Sequence, residues 1–168
     1  MATVTFKGTA INTYGDLPAV GSVAPDFELV ATDLADRGLA DFPGKRLINI
    51  VPSLDTPVCA SSTREFHRLA SSVDNAKVLV VSMDMPFAQG RFCTTEGLSD
   101  VVALSMLRTR KFAKDYGVLL TEGPLRGLCA RAVVVIDSSG KVAYSELVPE
   151  ITQEPNYEAA IAALKAAS

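Results

Sequence analysis

The octapeptide Pro52-Ser53-Leu54-Asp55-Thr56-Pro57-Val58-Cys59 gathers residue types that can make a thiol reactive. Thr56 is a good helix N-cap, and Pro57 suits the first helical position, where its missing N–H costs nothing. Cys59 then lies three residues past the cap, the place where a side chain meets the capping hydroxyl and the positive end of the helix. Both neighbours favour thiolate. A free cysteine is only about 3% thiolate at pH 7, and helix N-termini or nearby cations can lower its pKa by whole units. The same position also suits a buried, inert thiol. A third chemistry, acyl transfer, needs a histidine base. The one histidine is His67, eight residues further on. Along a single helix that is roughly 12 Å, far outside hydrogen-bond reach. His67 reads as an ordinary, partly exposed helix residue.

The elements that must position Cys59 are legible on either side of it. Leu47 to Val51 is apolar except for Asn49, as expected for a strand covered on both faces. Ser61 to Val73 reads as a helix. Phe66, Leu69, Ala70 and Val73 fall at i, i+3, i+4 and i+7 and form its core-facing stripe. Cys59, Ser62 and Thr63 continue that stripe, so the thiol should face the sheet rather than open solvent.

Elsewhere, Val4 and Phe6 pair with Ala10 to Asn12 across Lys7-Gly8-Thr9 as an N-terminal β-hairpin. Asp26 to Ala31 alternates as a strand, and Val78 to Val81 is a second buried strand. Pro86 opens a segment of weak helical character, Phe87 to Cys93, which Gly97 ends. Val101 to Leu104 is a strand, and Arg108 to Tyr116 a helix stopped by Gly117. Ala132 to Ile136 and Val142 to Leu147 flank a turn, and Tyr157 to Ala166 is a closing amphipathic helix. Strand–helix alternation followed by a late antiparallel hairpin predicts an α/β fold, with a mixed central sheet flanked by helices.

The length of 168 residues, 48% of them hydrophobic, suits one domain spanning 1–168. A net charge of −3 without clustered basic residues argues against nucleic-acid binding. No apolar run approaches the ~20 residues that cross a membrane, and no secretory leader is expected. Three cysteines with no C-x-x-C spacing make a zinc site unpromising and suit a reducing, cytoplasmic compartment, where disulfides are transient. No cofactor is expected.

Pro52, Thr56 and Cys59 fit the P-x-x-x-T-x-x-C pattern of peroxiredoxins. The segment Pro86-Phe87-Ala88-Gln89-Gly90-Arg91-Phe92-Cys93 resembles the bacterial thiol peroxidase branch of that family. So do Tyr14 to Pro18, Ala130 to Asp137, and Glu150 to Glu158. The resemblance covers nearly the whole chain. It implies a thioredoxin-like fold and an atypical two-cysteine peroxidase acting on hydrogen peroxide and organic hydroperoxides. It further implies thioredoxin as reductant and a homodimer formed through the active-site face.

By the same resemblance Cys59 is the peroxidatic cysteine, oxidised to a sulfenic acid, and Cys93 the resolving cysteine that forms an intramolecular disulfide with it. Read from the sequence alone, Cys93 is simply a second free thiol. Arg131 reads either as a solvated charge at a strand end or, by resemblance, as the guanidinium against the thiolate, with Arg64 a weaker competitor. Thr56 would bond thiolate and peroxide, and Pro52 would shield the thiolate from water. Cys129 lies outside the pattern. Two residues before Arg131, it would share a face with it if the strand extended that far, and it reads as an inert thiol or an auxiliary redox partner. Phe42, Val58, Phe87 and Phe92 are candidates for an apolar peroxide entrance, with core roles as the alternative.

Overall fold

The computed structural model describes all 168 residues. The chain opens with a hairpin, β1 (Thr3–Phe6) and β2 (Thr9–Asn12), paired antiparallel as a separate two-stranded sheet. There follow β3 (Leu29–Ala31), a short β4 (Asp36–Arg37) and β5 (Lys45–Ile50). After these, helices and strands alternate as α1 (Pro57–Ala70), β6 (Ala76–Ser82), α2 (Pro86–Glu96), β7 (Val101–Ser105) and α3 (Lys111–Asp115). The chain ends with β8 (Ala132–Ile136), β9 (Val142–Leu147) and α4 (Tyr157–Ala166).

The main sheet has seven strands in the order β4-β3-β7-β6-β5-β8-β9. β5, β6 and β7 run parallel, and β8 and β3 join them antiparallel on either side. Side chains on successive residues of these strands enter opposite layers. Leu47, Val51, Val78, Val80, Val133 and Val135 pack with Cys59 and Phe66 of α1 and with Ile161 and Leu164 of α4. Ile48, Ile50, Leu79, Val81, Val134 and Ile136 pack with Phe112 and Ala113 of α3. Both faces are therefore covered, which is why these strands are apolar throughout. Parallel strands deliver the loops at their C-terminal ends to one rim of the sheet, the usual place for a site in such a fold.

Element boundaries differ from the sequence reading where tertiary contacts decide them. The strand expected over 26–31 narrows to Leu29–Ala31, because Asp26 turns back to accept from the Phe27 and Leu39 N–H groups. The helix capped at Thr56 and expected to run to Val73 ends at Ala70, with Val73 in a following turn. The helix expected over 108–116 keeps only Lys111–Asp115. Gly117 stops it at φ 70°, and a Cβ there would meet the Asp16 backbone, with its carbonyl oxygen at 2.1 Å. The late hairpin and the closing helix form as expected.

One carboxylate sews the N-terminal hairpin to the rest. Glu150 accepts from the Thr5 hydroxyl at 2.6 Å, from the Lys7 and Gly8 N–H groups at 3.0 and 3.1 Å, and from the Thr152 hydroxyl at 2.8 Å. These hydrogen bonds, that of Thr5 foremost, hold its pKa at about 2. A depressed carboxylate contributes stability that is present above its ordinary range near 4.5 and is lost as pH falls toward 2. Glu150→Gln should therefore lower the urea midpoint at pH 7 and flatten its dependence on pH between those two values. An unchanged midpoint at pH 7 would show that the hairpin does not depend on this carboxylate.

Candidate active site

Cys59 sits in the first turn of α1, which the loop 51–56 joins to the C-terminal end of β5, and is completely buried. Thr56 is the N-cap residue and Pro57 the first helical residue, as the sequence predicts. Cys59, Ser62, Thr63, Phe66 and Ala70 form the buried face of the helix. The polar members of that face are fastened to the sheet. Asn49, the lone polar residue in the β5 run, donates its amide to Ser62 Oγ at 3.1 Å and Thr63 Oγ1 at 3.3 Å. Both hydroxyls in turn donate to the Cys59 carbonyl, at 3.1 and 2.8 Å. Asn49 thus anchors the cysteine's own turn, a role that its interruption of an apolar strand could have signalled. Its Oδ1 is buried without a partner.

Arg131 lies just before β8, on the antiparallel neighbour of β5, and is 2% exposed. Its Nη1 donates to Cys59 Sγ at 3.3 Å and its Nε to the Ile151 carbonyl at 2.9 Å. The two bonds use different edges of the guanidinium and fix its plane, which a lysine's single ammonium cannot reproduce. No carboxylate forms an ion pair with Arg131. Arg64, the competing cation, is bound to Glu96 of α2 at 2.9 Å on the surface. His67 is part-exposed, 3.8 Å from Asp100.

Cys93 lies in α2 and is half-buried, and burial pushes its thiol pKa up. The helix is better formed than its weak pattern suggested, running over Pro86–Glu96 and ending at Gly97 with φ 66°. Beyond that turn the Leu98 N–H donates to the Cys93 carbonyl at 2.9 Å. Yet of its residues only Pro86 and Gln89 are buried. All three cysteines are free thiols. Phe87 and Phe92 line a groove with Asp55, Ala88 and Arg91, between the loop before α1 and the outer side of α2. Pro52 is buried at the head of that loop, and Val58 is half-buried.

One expectation needs correction, and two open readings are decided. The Thr56 hydroxyl neither caps α1 nor bonds the thiol; it donates to the Ser53 carbonyl at 3.1 Å, closing a tight turn across the loop. Cys129 and Arg131 do not share a face. The strand begins only at Ala132, and Cys129 packs in the layer with Phe112 and Tyr116, its sulfur 3.9 Å from Met106 Sδ. Burial pushes its pKa up to about 12, and the sheet separates it from the layer that holds Cys59. It reads as the inert thiol. Phe42 is buried in that same opposite layer and cannot line an entrance to Cys59.

Comparison with known proteins places the chain in a family. Residues 19–161 match the Redoxin family model. Thiol peroxidases of Mycobacterium tuberculosis and Mycobacterium bovis are each 56% identical over 167 residues, spanning 99% of this chain and all of theirs. A peroxiredoxin-like protein from Aquifex aeolicus superposes with a TM-score of 0.91 at 43% identity, covering 99% of this chain and 97% of its own. A thiol peroxidase from Chromobacterium violaceum gives 0.88 at 31% identity, covering 94% and 91%. The chain that places a buried cysteine at a helix start beside a buried arginine is thus similar end to end to thiol peroxidases, and it belongs to the thiol peroxidases, peroxiredoxins built on the redoxin domain.

Proposed function

We propose that the whole chain, residues 1–168, acts as one peroxidase domain that reduces hydrogen peroxide and organic hydroperoxides through Cys59 and Cys93. The observation that carries this reading is the 3.3 Å contact from the Arg131 guanidinium to the buried Cys59 sulfur. A buried cation without a carboxylate partner needs an anion, and the sulfur is the group to which it donates. As thiolate, Cys59 Sγ attacks the terminal peroxide oxygen. The S–O bond forms as the O–O bond breaks, and the departing alkoxide or hydroxide takes a proton to leave as alcohol or water. Arg131 supports the negative charge as it passes from sulfur to the departing oxygen. The Thr56 hydroxyl gives its proton to Ser53, so its oxygen lone pairs remain free to accept from the peroxide O–H. Pro52, with no N–H, keeps the loop from bringing a competing donor to the sulfur.

Cys93 then attacks the sulfenic sulfur. The S–S bond forms, the S–O bond breaks, and hydroxide leaves as water with the proton of the Cys93 thiol. Burial that keeps Cys93 protonated is relieved once α2 opens, so the same motion brings and activates the second thiol. The disulfide is returned to two thiols by exchange with the dithiol of thioredoxin, which supplies both electrons. No cofactor enters this sequence. The reducing chemistry suits the cytoplasm. Met85 and Phe87, exposed large apolar side chains beside the site, support a homodimer formed through this face.

Intact mass after one equivalent of peroxide tests the core of the reading. A loss of two hydrogens, mapped to a Cys59–Cys93 cross-link, is expected; an unchanged thiol count refutes it. Cys59→Ser should fold and have no peroxidase activity. Cys93→Ser should react once, accumulate sulfenic acid and pass to sulfinic acid at excess peroxide, and normal turnover of this variant with thioredoxin would remove Cys93 from the mechanism. Arg131→Lys should slow the first step on the order of 10²-fold, the usual cost of losing one fixed donor to developing charge. Competition kinetics with the other cysteines replaced would measure this, and a rate within a factor of about two of the parent would overturn the role given to Arg131.

A further inference from the structure

The segment before Cys59 and the helix that carries Cys93 are held by one side chain. Asp84 lies between β6 and α2, directly before the N-cap residue of α2, Met85. Its carboxylate reaches across the rim of the sheet to the loop that leads into α1. Oδ1 accepts from the Ser53 hydroxyl at 2.7 Å, and Oδ2 accepts from the Leu54 N–H at 2.7 Å. Oδ2 also accepts from the Ser82 hydroxyl, again at 2.7 Å. The Ser82 oxygen in turn accepts from the buried amide of Gln89, which also donates to the Leu104 carbonyl at 2.9 Å. Gln89 is one of only two buried residues of α2. The Asp84 carbonyl is tied to β7 by the Ser105 hydroxyl at 2.6 Å. An unbroken chain of hydrogen bonds therefore runs from the turn closed by Ser53 and Thr56, through Asp84 and Ser82, to the inward face of α2.

We infer that Asp84 is a positioning residue that latches the loop before Cys59 to the base of the Cys93 helix and so sets the balance between the peroxide step and disulfide formation. The inference rests on the proposed Cys59–Cys93 mechanism. The peroxide step needs Cys59 held beneath Arg131 by an ordered first turn. Disulfide formation needs that turn and α2 to leave their places, because Cys59 is completely buried and its sulfur is occupied by the guanidinium. A latch between the two segments favours the first arrangement and opposes the second. The latch works by geometry rather than by charge. An asparagine in place of Asp84 keeps an oxygen for Leu54 and Ser82, and the Ser53 hydroxyl turns to accept from the new amide.

The test is to measure both steps separately in the parent protein and in Asp84→Ala, Asp84→Asn and Ser53→Ala. The probes are hydrogen peroxide and quenched-flow alkylation, with the sulfinic fraction read by mass spectrometry. Asp84→Ala should slow the peroxide step on the order of 10- to 100-fold, as displacement of reacting groups by about an ångström does. It should also speed disulfide formation and lower the sulfinic fraction at a given peroxide concentration. Ser53→Ala should shift both rates in the same directions by less, and it keeps the question answerable should Asp84→Ala not fold. Asp84→Asn should restore parental values. Unchanged rates in Ser53→Ala and Asp84→Ala, or two rates that fall together, would overturn the latch. Failure of the parent to form the Cys59–Cys93 disulfide would instead overturn the mechanism on which it rests.

Discussion

Everything around the site answers to one constraint: a guanidinium is buried to all but 2% of its surface. A charge taken out of water is costly unless every donor finds a partner. Arg131 directs two of its donors to fixed partners, the Ile151 carbonyl on one edge and the Cys59 sulfur on another. The rest of the architecture supplies those two acceptors at fixed places. Ile151 belongs to the segment that Glu150 and Thr5 bind to the N-terminal hairpin, and its own N–H donates to the Thr5 carbonyl at 2.9 Å. Cys59 is held by Asn49 through Ser62 and Thr63. The hairpin at one end of the chain and the polar break in β5 thus serve the same two bonds.

The same arrangement explains why the resolving segment is the less secure one. α1 buries an apolar and hydroxyl-bearing face against β5 and β6, and Phe66 packs edge-on against Tyr157 of α4 at 5.0 Å. α2 buries only its first proline and one glutamine. Its link to α1 through Arg64 and Glu96 is a solvent-exposed ion pair, worth at most about 1 kcal/mol. Elements with few buried apolar contacts open at the low end of local stability. A thiol that must leave its place in each cycle is therefore carried on a helix that buries few of its side chains.

Much of this was legible in the sequence, for reasons that are local. The strand over 47–51, the helix after Thr56-Pro57, the Gly97 stop and the late hairpin follow from periodicity and from residues with strong positional preferences. The chemistry followed from Cys59 at a helix start and from the resemblance of its surroundings to peroxiredoxins. What was not legible depends on side chains meeting segments far away in the chain. Asn49 reads as a blemish until Ser62 and Thr63 are placed above it. Asp84 and Ser53 are 31 residues apart, and Glu150 and Gly8 are 142 apart. Thr56 departs from its expectation because one hydroxyl has one proton to give, and the Ser53 carbonyl takes it. Cys129 reads from the sequence as an inert thiol, and its face stays open because spacing by two gives a shared face only within a continuous strand, while β8 starts three residues later. Phe42 could be assigned to a layer only once the sheet's two faces were known.

The central claim is that Cys59 reacts while its helix turn is ordered beneath Arg131, and meets Cys93 only after that turn and α2 have opened. Hydrogen exchange of the fully reduced and the disulfide-linked protein, compared peptide by peptide, tests it most directly. The account predicts that protection is lost on oxidation across Thr56 to Ser62 and Phe87 to Gly97 while β5, β6 and β8 keep theirs. Indistinguishable protection in those two segments would contradict it.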